Sequence, residues 1–171
     1  MVYINDQCRL IFIENPKSGS TTIFNALNVV LGTQYHRTPH LQCAHGTSED
    51  LKRQVGETVW NSYLKVTTYR DPYKRFFSSM NYPRHHKLKN INCYEDLVEH
   101  IQLFKENKLR CQYCIPQTEF TDGMDFLIRL DHIQEDFDEL CNRLGVHTIK
   151  IERYNINGIY PYTHEQVKEL F

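Results

Sequence analysis

The segment from Ile11 to Leu27, IFIENPKSGSTTIFNAL, constrains the fold more than any other part of the chain. A β-branched apolar run leads into a turn rich in Lys, Gly and hydroxyl residues, and a helical apolar pattern follows. This order predicts a strand, a tight loop and a helix. The first N–H groups of such a helix lack intrahelical partners and lie at the positive end of its dipole. The segment therefore predicts a cradle for phosphate or sulfate oxygens.

The side chains of this loop also favour an anion site. Lys17 contributes a positive charge, and hydroxyl donors follow it. The hydroxyl residues are Ser18, Ser20, Thr21 and Thr22. The usual nucleotide-binding loop ends in Gly-Lys-Ser or Gly-Lys-Thr, whereas here Lys17 precedes Gly19 and the sequence contains neither tripeptide. An ordinary ATP or GTP site is therefore disfavoured.

A second anion-binding segment follows the predicted strand Leu64 to Tyr69. Its sequence is RDPYKRFFSSM, in which Pro72 fixes the backbone where a helix can begin. Arg70 and Ser78 are eight residues apart, which is about two helical turns. An Arg guanidinium suits phosphate because its planar fork bonds two oxygens together. Two such segments in one small protein predict a ligand with phosphates at two different ends.

Both segments resemble motifs of a known family. PKSGSTT is similar to the 5′-phosphosulfate loop of sulfotransferases, and RDPYKRFFS is similar to their 3′-phosphate motif. Two longer stretches resemble Golgi-type carbohydrate sulfotransferases and their bacterial and viral relatives. They are CAHGTSEDLKRQVGETVWNSYLKVTTYRDPYKRFFSSM and FLIRLDHIQEDFDELCNRLGV, the latter with Asp131 at a usually acidic position and the run Glu135 to Phe137.

The resemblance implies a chemistry and a set of residues. It implies 3′-phosphoadenosine 5′-phosphosulfate as the donor, a carbohydrate or another hydroxyl-bearing molecule as the acceptor, and no required metal. It assigns His45 as the base and agrees with Lys17 as the residue that stabilises the bridging oxygen. The residues implied for donor binding are Pro16, Lys17, Ser18, Gly19, Ser20, Thr21, Thr22, Arg70 and Ser78.

Alternation of strands and helices predicts one α/β domain over residues 1–171, with a mostly parallel sheet flanked by helices in three layers. The resemblance adds that this fold is P-loop-like. The predicted strands are residues 9–14, 64–69 and 125–130, with an edge strand at 148–151. The predicted helices are 21–31, 93–106, 133–144, 163–171 and one that Thr47 opens with Asp50 and that carries Leu51, Val55, Val59 and Trp60. Ligands of such folds bind beyond the carboxyl ends of the strands, where both anion segments lie.

Charge and hydropathy exclude several classes of partner. Twenty Lys and Arg residues against 21 acidic residues give a net charge of −1, with no bulk attraction to nucleic acid or anionic membrane. No apolar run approaches the roughly 20 residues that span a bilayer, and the first residues lack the pattern of a signal peptide. Golgi relatives carry a membrane anchor before their catalytic domain, so the resemblance implies a cytoplasmic protein of microbial or viral origin, or a Golgi-lumenal one if the chain is a trimmed catalytic domain. The sequence leaves the oligomeric state open.

Six cysteines include one Cys-x-x-Cys pair, Cys111 and Cys114. A single pair is weak support for zinc, although His85 and His86 are candidate additional ligands. Free thiols are the favoured interpretation, with a disulfide open if the compartment is oxidising.

His45 is the leading candidate for the base. It precedes Thr47, the predicted cap, by two residues, where the helix dipole disfavours imidazolium and keeps the ring neutral. Position alone favours a surface or capping histidine, and the flanking resemblance reverses this preference in favour of the base. Glu14 is the non-histidine alternative, and His36 and His40 are candidates to line the acceptor cleft.

Other interpretations stay open for the anion residues and for the activity. Arg70 alternatively forms a salt bridge with Asp71 or Glu14, and Ser78 alternatively is a small residue at a helix crossing. A P-loop kinase would need the missing tripeptide and an acidic Mg²⁺ ligand. A non-catalytic module that binds an anionic glycan through the basic residues 84–89 would not require His45.

Overall fold

A computed structural model describes residues 2–32, 36–37, 46–80, 93–106, 108, 115–152 and 162–170. The chain divides into two compact units. The sheet unit comprises Met1–Arg70 and Pro116–Tyr154, and the helical unit comprises Asp71–Ile115 and Asn155–Phe171. The prediction of a single domain over the whole chain stays a prediction.

The sheet unit contains five strands in the order β3-β1-β2-β4-β5. They are β1 (Val2–Asn5), β2 (Leu10–Ile13), β3 (His36–Arg37), β4 (Leu64–Tyr69) and β5 (Phe126–Arg129). β2, β4 and β5 are parallel neighbours, whereas β1 is antiparallel to both β2 and β3. A four-residue turn joins β1 to β2, so the two strands must pair antiparallel, since a parallel pair needs a long crossover. The α/β class with a parallel sheet core is confirmed.

Eight helices lie within the described residues. In chain order they are α1 (Ser20–Leu31), α2 (Ser48–Val55), α3 (Glu57–Ser62), α4 (Pro72–Met80), α5 (Tyr94–Lys105), α6 (Thr118–Thr121), α7 (Ile133–Leu144) and α8 (His164–Lys168). A 3₁₀ turn, Leu130–His132, joins β5 to α7. None of the helices in this part of the chain has both the length and the apolar character needed to cross a membrane.

The core of the sheet unit lies between the sheet and the helices α1 and α7. Phe12 pairs in register with Tyr3 on one side and Val66 on the other, so these side chains share one face of the sheet. They form one buried cluster with Leu27 of α1 and Phe137 of α7. On the opposite face Ile11, Ile13 and Thr67 are buried as well, and the Lys65 ammonium donates to the Trp60 carbonyl at the end of α3. Both faces of the sheet are therefore covered.

Two predicted elements are wrong. The single helix predicted after Thr47 is two helices, because Gly56, with φ of 81°, separates α2 from α3. The edge strand predicted at 148–151 does not form. There the Gln134 amide accepts from the Ile151 N–H at 2.7 Å and donates to the Ile149 carbonyl at 3.0 Å, in place of a neighbouring strand.

The helical unit has its own apolar core. Pro72 begins α4, as the sequence predicts. Five buried side chains from α4, α5 and α8 form the cluster: Phe76, Phe77, Leu97, Ile101 and Val167. Thr163 and Gln166 form a capping box at the start of α8, which lies within the helix predicted at 163–171.

Candidate anion-binding site

The loop from Glu14 to Gly19 connects β2 to α1 and has an unusual backbone. Lys17 has φ of 66°, in the left-handed region that a non-glycine residue rarely adopts. Gly19, with φ of 84°, also lies there, and a Cβ at this position would stand 2.6 Å from Leu130 Cδ1. The turn therefore requires glycine at 19 and holds Lys17 in a conformation that costs about 1 to 3 kcal/mol.

The start of α1 is left open for an anion. Its cap residue Gly19 provides no side-chain hydrogen bond, and its first turn contains no acidic residue. Among the described helices only α4, which follows the second anion segment, shares that lack of acidic residues. The other six each have at least one Asp or Glu in the first turn. The Thr22 N–H donates to the Gly19 carbonyl at 3.0 Å, and no side chain within the described residues caps this terminus or opposes its dipole with negative charge, so it suits an anion.

Lys17 and Arg70, one from each anion segment, lie together at this loop. Arg70 Nη1 donates to the Lys17 carbonyl at 3.1 Å. Burial lowers the pKa of Lys17 from its usual 10.5 to about 8, and repulsion from the Arg70 guanidinium adds to this shift. Two cations in this arrangement favour a ligand with anionic groups, because negative charge near each cation offsets the burial and the repulsion.

The loop hydroxyls differ in their surroundings. Ser18 and Ser20 are buried, and their Oγ atoms donate to the Asn15 carbonyl at 2.6 Å and 3.1 Å. Ser18 also bonds the Thr68 hydroxyl. Thr22 is buried, whereas Thr21 is exposed. The Ser18 and Ser20 hydroxyls therefore shape the loop, and Thr21 is the hydroxyl residue exposed at the start of α1.

Three polar residues of this network were missed by sequence reasoning: Asn15, Thr68 and Gln117. Asn15 donates through Nδ2 to the Thr68 carbonyl at 2.8 Å and to Gln117 Oε1 at 3.0 Å. Asn15 and Thr68 stand at the carboxyl ends of β2 and β4, and polar residues at such ends signal a site in parallel sheets. Gln117 had no comparable signal.

Glu14 and Ser78, two further site residues predicted from the sequence, are both buried. Glu14 is buried and accepts from the Tyr3 hydroxyl at 3.5 Å. Ser78 is buried on α4 in the helical unit. His40 and His45 lie outside the described residues, and His36 belongs to β3.

The described residues offer no obvious metal centre. No group of three or more His, Cys, Asp or Glu side chains that could hold an ion is found among them. Cys8, Cys93 and Cys141 are free thiols there, and Cys111 and Cys114 lie outside that part of the chain.

Comparison with known proteins identifies the family of the chain. The family model described as sulfotransferase family matches residues 1–168. The chain belongs to the sulfotransferase family. Neither the curated proteins nor the solved structures contain a match. Membership supports sulfuryl transfer as the general activity and a P-loop-like fold for the sheet and its loop.

Proposed function

We propose that this sulfotransferase-family protein moves a sulfuryl group from 3′-phosphoadenosine 5′-phosphosulfate to a hydroxyl of a carbohydrate acceptor. The observation that carries the proposal is the contact between Lys17 and Arg70 at the uncapped start of α1. A ligand with anionic groups at two ends satisfies both cations and the open helix terminus at once. A nucleoside triphosphate, whose charge lies at one end, satisfies them less well.

In this proposal the N–H groups at the start of α1 and Lys17 hold the 5′-phosphosulfate. Arg70 binds the 3′-phosphate, a role for which Ser78 stays a candidate from the sequence resemblance alone. As the acceptor oxygen bonds to sulfur and the sulfur–oxygen bond to the phosphate breaks, Lys17 balances the negative charge that develops on the departing oxygen. The product that leaves is adenosine 3′,5′-bisphosphate.

The base in this proposal is His45. It takes the proton of the acceptor hydroxyl as the new oxygen–sulfur bond forms, and no metal takes part. Glu14 is less suited to the task, because it is buried and already accepts a hydrogen bond from Tyr3. The carbohydrate acceptor rests on the sequence resemblance around His45 and in residues 111–120.

Calorimetric titration tests the donor assignment. Adenosine 3′,5′-bisphosphate should bind at least about tenfold more tightly than ATP, because only the bisphosphate engages both cations at separate phosphates. Equal or tighter binding of ATP contradicts the assignment. Transfer of labelled sulfate from the donor to a panel of glycans and simple alcohols then identifies the acceptor class, and transfer to alcohols alone contradicts the carbohydrate assignment.

A further inference from the structure

The side-chain amide of Gln117 bonds both anion segments at once. Its Oε1 accepts from the Arg70 N–H at 3.0 Å and from Asn15 Nδ2 at 3.0 Å, and its Nε2 donates to the Arg70 carbonyl at 2.9 Å. We propose that Gln117 is a positioning residue, which holds the phosphosulfate loop and the Arg70 segment at the spacing that a two-phosphate ligand requires. This inference rests on the proposed function.

The orientation of each amide in this network is fixed by its partners. The Arg70 backbone presents an N–H to one end of the Gln117 amide and a carbonyl to the other, so oxygen and nitrogen cannot be exchanged. Gln117 therefore offers its oxygen to Asn15. Asn15 in turn must donate, both to Gln117 and to the Thr68 carbonyl. A single set of donors and acceptors thus links the ends of β2 and β4.

Gln117 forms its hydrogen bonds with Arg70 just beyond the point where the pairing of β4 with β5 ends. The parallel ladder between β4 and β5 ends at Tyr69, and Arg70 is the next residue. The Gln117 amide bonds the Arg70 N–H and carbonyl in the manner of a neighbouring strand. With its backbone held, Arg70 reaches the Lys17 carbonyl at 3.1 Å.

The same amide also supports the phosphosulfate loop through Asn15. The Asn15 carbonyl accepts from the hydroxyls of Ser18 and Ser20, which lie on either side of Gly19. Displacement of Asn15 would therefore move the backbone that precedes α1. Loss of Gln117 should loosen both segments relative to each other, without removing any group that touches the ligand.

This role predicts a specific binding signature. A ligand with two phosphates gains from its second contact only when both sites are held at the right spacing. A ligand with one phosphate needs only one segment. Loss of Gln117 should therefore remove the higher affinity for a ligand with two phosphates than for a ligand with one. General destabilisation of the protein would instead lower the affinity for both ligands alike.

Gln134 offers a matched control in the same unit. Its amide also bonds a backbone N–H and a backbone carbonyl, those of Ile151 and Ile149, and donates to Asp138 Oδ1 at 2.8 Å. Like Gln117 it is half-buried and makes three hydrogen bonds. None of its partners belongs to either anion segment.

The experiment measures dissociation constants of adenosine 3′,5′-bisphosphate and adenosine 5′-monophosphate for the wild type, Gln117→Ala and Gln134→Ala. The wild type should prefer the bisphosphate, and Gln117→Ala should reduce that preference by about tenfold or more, mainly by weakening the bisphosphate. Gln134→Ala should leave the preference unchanged, although both variants lower the thermal midpoint. Should Gln117→Ala not fold, Gln117→Met keeps the length of the side chain without its hydrogen bonds and should show the same reduction.

The outcomes separate the two proposals. A wild-type preference that persists in Gln117→Ala or Gln117→Met overturns the positioning role and leaves the proposed function standing. A wild type that does not prefer the bisphosphate overturns the proposed function, and the positioning role with it.

Discussion

The starts of α1 and α2, both in the sheet unit, are built in opposite ways. At α2 the Thr47 hydroxyl accepts from the Asp50 N–H at 3.2 Å, and the Asp50 carboxylate accepts from the Thr47 N–H at 3.1 Å. Glu49 adds a second negative charge to that first turn. At α1 there is neither a capping side chain nor an acidic residue, and Lys17 places a positive charge immediately before the helix.

The difference shows that side chains of the protein cap the start of α2 but not the start of α1. The capping box provides acceptors within the chain for the Asp50 and Thr47 N–H groups, and its acidic residues match the helix dipole. The loop before α1 instead combines a left-handed Lys17 with a partly buried ammonium next to a guanidinium. Both features cost stability in the ligand-free protein, and an anionic ligand relieves the electrostatic one. Such local departures from good helix design are expected at functional sites.

The largest expected effect comes from Lys17→Ala. Turnover should fall by about a hundredfold to a thousandfold, because the charge on the departing oxygen loses its partner, and bisphosphate binding should weaken as well. The free energy of unfolding should not fall, since burial and Arg70 already disfavour the ammonium. Steady-state kinetics and thermal unfolding measure both. Lys52→Ala on α2 is the control, and a similar loss in that variant would contradict a specific role for Lys17.

His45→Ala tests whether the start of α2 also contributes to chemistry. Turnover should fall by about a hundredfold while bisphosphate affinity changes little, because a base acts on the acceptor and not on the donor. Kinetics combined with calorimetry separates the two quantities. His147→Ala, at an exposed position, is the control. Unchanged turnover in His45→Ala would instead favour Glu14 as the base, whereas absence of turnover in the wild type would favour a binding module without activity.

The lowered pKa of Lys17 predicts a pH dependence for ligand binding. As pH rises through about 8 the ammonium loses its proton, so bisphosphate affinity should be constant near pH 7 and fall above pH 8. The fall should be at most about tenfold per pH unit. The ligand phosphates, with a second pKa of about 6, are ionised above pH 8 and do not contribute to the fall. Calorimetry from pH 6.5 to 9.5 measures the profile, because this range extends to both sides of the Lys17 pKa of about 8.

Lys17→Arg is the control for this profile, because a guanidinium stays charged and should make the affinity independent of pH. A fall that persists in Lys17→Arg would assign the titration to another group. The free energy of unfolding should change with pH in the opposite direction to bisphosphate affinity. Between pH 8 and 10.5 the unfolded chain binds more protons at Lys17 than the folded one, so this residue should make unfolding less favourable as pH rises.

Thr21→Glu places an acidic residue in the first turn of α1, as in the first turn of α2. Thr21 is exposed in the first turn, so the new carboxylate should favour the helix dipole and raise the free energy of unfolding by about 0.3 to 1 kcal/mol. The same charge should repel a phosphate and weaken bisphosphate binding about tenfold. Denaturant titration and calorimetry test the two effects. Thr21→Gln, a neutral variant of the same size, should show neither, and stronger binding by Thr21→Glu would place the anion elsewhere.

The smallest effect on function is expected at Thr47. Thr47→Ala removes the capping hydroxyl and should lower the free energy of unfolding by about 1 kcal/mol. Bisphosphate affinity should not change, because the start of α2 is satisfied by its own side chains. Asp50→Asn, which weakens the same box, should behave alike. Loss of bisphosphate affinity in both variants would show that the two helix starts are not independent.

Much of the fold could be predicted because its signals are local. The apolar run of β4 gives the strand Leu64–Tyr69, and the buried stripe of α7 gives Ile133–Leu144 with Gly145 in the left-handed region after it. The short strands β1 and β3 were not predicted. β3 contains only two residues, too few for a periodic pattern. β1 is as long as β2, but its sequence VYIN is less uniformly apolar than LIFI.

The site could be predicted only where its residues follow strands. Lys17 and Arg70 were each recognisable because an anion motif follows an apolar run, and parallel strands bring such ends together. The contact between Asn15 and Gln117 joins residues 102 positions apart, so no local sequence pattern predicts it. The edge strand at 148–151 was predicted from composition, which does not reveal that the Gln134 amide takes the place of a ladder.

The contact that forbids a side chain at position 19 has a consequence for how this protein can diversify. Leu130, which follows β5, occupies the space that any residue larger than glycine would need. A residue with a Cβ at position 19 would have to displace Leu130 and strain the backbone, which couples the turn before α1 to the packing after β5. Changes in sequence at these two places should therefore be tolerated only together.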